Sequence, residues 1–121
     1  TRVEDLWFSS DPLIIEAETK IFRVTKSILS ARSSVFRDMV ALPQPENGDA
    51  ELVEGSPVVR LHDSAADVEV FLRAIFDSRF LLHAPTDTVD LHAVLGILRL
   101  AHKYDVPYLY RRFLRRLAVP Y

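Results

Sequence analysis

Apolar positions follow two rhythms along the chain. Between residues 12 and 24, Leu13-Ile14-Ile15 and Ile21-Phe22-Arg23-Val24 flank the polar stretch 16–20. Two β-branched or aromatic runs around a polar hinge predict a β-hairpin. Alternation places Phe22 and Val24 on one face, Ile21 and Arg23 on the other. Upstream, Leu6-Trp7-Phe8 is an apolar patch in a polar segment. It reads as a strand or as a hook packed elsewhere. As a strand it puts Leu6 and Phe8 on one face and Trp7 on the other.

Helical spacing then takes over. Thr25 is placed to N-cap a short helix carrying Ile28 and Leu29, and Ser33 or Ser34 to cap the next, where Val35, Phe36, Met39 and Val40 recur. Leu42-Pro43-Gln44-Pro45 ends that helix, because neither proline can continue it. Residues 43–57 read as an acidic loop, and 58–61 as a short strand. Ser64 is placed to cap a helix with Asp67 in its first turn. Val68, Phe71, Leu72, Ile75 and Phe76 form its stripe, and Glu69 can pair with Arg73. Residues 77–87 form a loop with Phe80-Leu81-Leu82 as an anchor, and Asp87 or Asp90 opens a fourth helix. That helix is apolar on nearly every side, from Leu91 through Ala101, which predicts central burial. Gly96 in its middle predicts close packing against another element, since glycine costs about 1 kcal/mol against alanine in a helix. Pro107 suits the first turn of a last helix, with Leu109, Phe113, Leu114 and Leu117 inward and the arginines outward. Three short strands and about five helices make an α+β fold, a small three-stranded sheet beside a helix cluster. The expected organisation is an N-terminal extension over 1–10, one domain over 11–118 and a tail over 119–121.

Composition narrows the function. A chain of 121 residues with 49% hydrophobic residues can bury a core without staples. The absence of cysteine excludes disulfides, thiolate metal sites and a cysteine nucleophile, and suits an intracellular compartment, cytoplasm or nucleus. A net charge of −2 gives no global pull on nucleic acid. No apolar run is long enough to cross a membrane, and the start is not a signal peptide. Without an initiator Met, the chain is expected to be processed or excised from a longer one. His62, His83, His92 and His102 lack the spacing of a metal site, so no metal is expected. Three glycines make no phosphate-cradling loop, and no serine sits in a nucleophile elbow. Asp63 and Asp67 complement a helix dipole better than they serve acid–base chemistry. No catalytic residue and no cofactor are expected.

Several segments together resemble the BTB/POZ domain. Phe22-Arg23-Val24-Thr25-Lys26 followed by Ile28-Leu29 resembles the family's F-x-V-H-K-x-x-L segment. The run from Ala31 to Met39 resembles its A-x-S-x-x-F-x-x-M segment. Val58-Val59-Arg60-Leu61-His62-Asp63 matches the following strand, and Phe71-Leu72-Arg73-Ala74-Ile75-Phe76 the F-x-x-L-L-x-x-Y helix. Leu100-Ala101-His102-Lys103-Tyr104-Asp105-Val106 with Leu109 resembles L-A-x-x-Y-x-V-x-x-L. The pieces cover residues 11–117 in order, in a style most similar to fungal members. The resemblance implies a protein–protein interaction module without catalysis, which self-associates or recruits a partner. It also implies a cullin as a candidate partner and transcription regulation as a setting. Thr25 replaces the family's usual histidine. Residues 1–10 are too few for the swapped N-terminal helix of some family dimers. The resemblance further suggests a charged pair, with Lys26 as the base and Asp11 near the acid. The hydrophobic-x-Glu signature of cullin-binding members is not evident in 43–57.

Candidate contacts follow. Leu6, Trp7 and Phe8 come first, because tryptophan is enriched at interface hot spots. Tyr108 and Tyr110 are second. Arg111, Arg112, Arg115 and Arg116 make two basic rows on one helix, for an acidic partner or phosphate, or simply a solvated face. The alternatives are a monomeric adaptor of the Skp or elongin-C type in a cullin ubiquitin ligase, and nucleic-acid binding through the arginines. No outward aromatic residues interleave those arginines, which argues against nucleic acid.

Overall fold

The computed structural model describes residues 1–8, 10–41, 52–53, 55–76 and 91–118. Two compact units divide the chain, residues 1–65 and 66–121.

The first unit holds the sheet: β1 (Arg2–Trp7), β2 (Pro12–Ala17), β3 (Lys20–Thr25), β4 (Leu52–Val53) and β5 (Ser56–Leu61), in the order β1-β3-β2-β5-β4. The α+β class stands, but the sheet has five strands where three were expected. Leu6 and Trp7 belong to a true strand, and two residues inside the stretch read as a loop pair with the start of β5. A two-residue strand carries too little pattern to be seen in a sequence. The β2–β3 hairpin turns through Glu18 and Thr19, with Ala17 opposite Lys20. Glu18 supplies the left-handed φ of 54° that glycine would otherwise provide. β2 is the middle strand, and Leu13, Ile14 and Ile15 are all buried, as a strand covered on both faces requires. β3 alternates instead, burying Phe22 and Val24. Parallel pairing of β2 with β5 sets Glu16 against Arg60, and their side chains meet at 2.9 Å.

Two helices follow the hairpin, α1 (Lys26–Arg32) and α2 (Ser34–Ala41), packed together. Ser33 caps α2: its buried Oγ accepts the Phe36 N–H at 3.0 Å. Thr25 does not cap α1, as its side chain makes no capping bond. Phe22, Leu29 and Phe36 are fully buried, each worth about 1.5–3 kcal/mol of transfer free energy.

The second unit holds most of α3 (Ala65–Phe76), with α4 (Leu91–Lys103) and α5 (Pro107–Ala118). α3 buries Val68, Phe71 and Leu72, and Glu69 pairs with Arg73 at 2.9 Å. The Phe71 ring lies 5.9 Å from that of Tyr104. Gly96 is where α4 comes close to α3: a Cβ there would lie 2.6 Å from Asp67 Oδ1. α4 ends in a Schellman motif. Val106 N–H donates to Ala101 C=O at 2.8 Å, and Asp105 takes the left-handed φ of 55°. Pro107 then opens α5, as its fixed φ favours. The loop anchor at 80–82, His83 and the openings proposed at Asp87 and Asp90 lie outside the described residues.

Two expectations fail in this unit. α4 is not buried on every side: Ala93, Val94, Ile97, Leu98, Leu100 and Ala101 are buried, but Leu91 is 56% and Leu95 40% exposed. Leu114 of α5, placed inward by its spacing, is 42% exposed. Among the described residues, no helix is long and apolar enough to cross a membrane.

Candidate interaction surfaces

β1 forms one edge of the sheet, pairing in parallel with β3 through a register shift between Arg2 and Trp7. The strand is anchored at both ends. Ile21 N–H donates to Thr1 C=O at 2.8 Å, and Phe8 N–H to Arg23 C=O at 2.7 Å. The three residues singled out in the sequence differ in burial. Leu6 is 1% exposed and lies in the core, so its side chain is not offered to a partner. Trp7 and Phe8 are half-buried. The Arg2 guanidinium stacks 4.1 Å from the Trp7 ring centroid, which holds the indole in place. The outer edge of β1 is thus a short run of backbone flanked by fixed aromatic surface, the form that accepts a further strand.

Asp11 and Lys26 come together, but through the backbone. Lys26 N–H donates to Asp11 C=O at 2.8 Å, and Ser27 N–H to the Asp11 carboxylate at 3.0 Å. The acid expected to face the lysine ammonium instead caps α1. The left-handed φ of 47° at Asp11 turns the chain so that its carbonyl oxygen and one carboxylate oxygen, Oδ2, both reach the helix start.

The other candidates lie on α4 and α5. Leu91, Leu95, Arg99 and His102 follow one another at helical spacing and are all exposed. Leu95, Leu98, Arg99, His102 and Tyr110 line an open groove of about 400 Å³. Tyr110 is half-buried, its ring 5.9 Å from that of His102. Leu114 continues the Tyr110 row one turn on. Tyr108 is half-buried outside the groove lining. Arg111 and Arg115 are exposed, while Arg112 is half-buried, 6.0 Å from the Phe113 ring. Arg116 falls on the same helix. Arg99 forms an ion pair with Asp67, the carboxylate that also crowds Gly96. Among the described residues, no group of three or more His, Cys, Asp and Glu is set to hold a metal ion. Sequence reading missed the Leu91–Leu95 stripe, because an apolar helix with buried neighbours on both sides looks the same whether one strip faces water or not. Arg99 and His102, in the same row, were the signal.

The family model of the BTB/POZ domain matches residues 8–117. The chain belongs to the BTB/POZ domain family. The BTB domain of zebrafish PATZ1 is similar in fold, with a TM-score of 0.62 over 88% of this chain and 74% of that one, at 13% identity. No curated protein sequence matches this one. A BTB domain is a protein–protein interaction module, and that coarse function holds for this chain.

Proposed function

We propose that the chain is a docking module that self-associates along the β1 edge. The observation that carries this reading is the position of β1, outermost in the sheet with Trp7 and Phe8 half-exposed at its end. An edge strand presents unpaired backbone groups, so a second copy can extend the sheet while the aromatic side chains close over the joint. Trp7 is held by Arg2, so little side-chain entropy is lost when it is covered. The module works by binding alone, with no reacting group. Its place is inside the cell, in keeping with a chain free of cysteine.

Sedimentation of the native chain and of Trp7→Ala side by side tests the assignment. The native chain sediments as a dimer and Trp7→Ala shifts toward monomer, with unchanged far-UV circular dichroism. Equal sedimentation of both chains as dimers would remove Trp7 from the interface. A native monomer would favour the adaptor alternative of the Skp or elongin-C type, which meets a cullin one to one.

A further inference from the structure

We propose that the α4–α5 face is a docking groove for an acidic amphipathic helix of a partner protein. Three observations meet there. Leu95 and Leu114 are 40% and 42% exposed, on adjacent packed helices, and large apolar side chains grouped at a surface mark a contact. Leu95, Leu98 and Tyr110 line an open groove with Arg99 and His102 at its wall. Charge is segregated as well. Residues 91–118 carry six Lys and Arg against Asp105, a formal +5, while the rest of the chain carries −7.

Shape selects the occupant. The row from Leu91 to His102 spans about 16 Å, three helical turns, so it accepts three successive anchors of one amphipathic helix. The groove is open, which suits the side of a helix better than an enclosed small molecule. Charge selects the sign. Arg99 lines the groove in an ion pair with Asp67, Lys103, Arg111 and Arg115 are exposed on the same two helices, and neither α4 nor α5 carries an acid, so acidic flanks on the ligand meet an excess of cations. A nucleic acid would use the arginines but leave Leu95 and Leu114 in water. The groove and the β1 edge share no residue and belong to different units, so neither reading depends on the other.

The test uses the native 121-residue chain and a fluorescein-labelled model peptide of about 15 residues, with leucine at helical spacing and glutamate elsewhere. The controls are its lysine-for-glutamate counterpart, a scrambled acidic peptide and a DNA duplex. By fluorescence anisotropy, the acidic amphipathic peptide binds, and the lysine and scrambled peptides bind about tenfold or more weakly. Leu95→Asp and Leu114→Asp each weaken binding about tenfold, and Arg111→Glu with Arg115→Glu removes most of its salt dependence. Leu95 and Leu114 are exposed, so circular dichroism stays native in these variants. Equal binding of the scrambled peptide, indifference to Leu95→Asp and Leu114→Asp, no binding at low salt, or tighter binding of the duplex would each overturn the proposal.

Discussion

Asp11 accepts the Ser27 N–H at 3.0 Å, so α1 is capped by a carboxylate 16 positions upstream and not by the threonine that precedes it. This ties the entry to β2 to the exit from β3. Asp11→Ala removes the cap, worth about 0.5–2 kcal/mol, and sets alanine in a left-handed backbone at about 1–2 kcal/mol more, for a loss of about 1.5–4 kcal/mol together. Asp11→Asn keeps an acceptor oxygen and tolerates that backbone, so it stays within about 0.5 kcal/mol of native. Thr25→Ala is close to neutral. Urea denaturation of the three variants checks the order, and a larger loss for Thr25→Ala than for Asp11→Ala would reverse the assignment.

Ser33 gives the complementary case, a local cap whose Oγ is buried. Ser33→Ala leaves the Phe36 N–H without its acceptor and lowers stability by about 1–2 kcal/mol. Ser34→Ala, one position on, changes it by less than about 0.5 kcal/mol. Equal losses at the two serines would remove Ser33 as the cap.

Gly96 and Asp67 are coupled. A methyl group at Gly96 meets the Asp67 carboxylate, and moving that carboxylate disturbs its pairing with Arg99. Gly96→Ala alone therefore gains little or loses stability, although alanine is favoured in a helix by about 1 kcal/mol. In an Asp67→Ala background only the contact with Val70 at 3.4 Å remains, and the same substitution is stabilising by up to that amount. Melting temperatures of the four chains in this cycle give the coupling, and a zero value would mean α4 does not approach α3 there.

Two leucines three positions apart on the groove side of α4 differ in worth. Leu98 touches the groove but is only 8% exposed, and Leu98→Ala removes its buried contacts at a cost of about 2–4 kcal/mol. Leu95→Ala, 40% exposed, costs less than about 1 kcal/mol. Chemical denaturation separates them, and equal losses would restore the centrally buried helix that the sequence pattern suggests.

Much of the fold was legible in the residues. The hairpin, the alternation of Phe22 and Val24, a serine cap at 33 or 34, the Glu69–Arg73 pair, the close approach at Gly96 and Pro107 at a helix start all follow from local rules, and the structure gives the cap to Ser33. What was not legible depends on partners distant in sequence. Asp11 caps a helix it does not adjoin, and Leu6 is core while Phe8, one residue past the end of β1, stays half-exposed. The outward strip of α4 lies in tertiary packing, since periodicity places Leu95 and Leu98 on one broad apolar helix without saying which side meets water.

Self-association is tested most directly by light scattering on a size-exclusion column across a dilution series. The account predicts a mass of twice the 13.8 kDa chain that persists to low micromolar concentration. It also predicts that Trp7→Ala brings the mass down to one chain at concentrations where the native protein is still paired. A single-chain mass for the native protein at every concentration would contradict it.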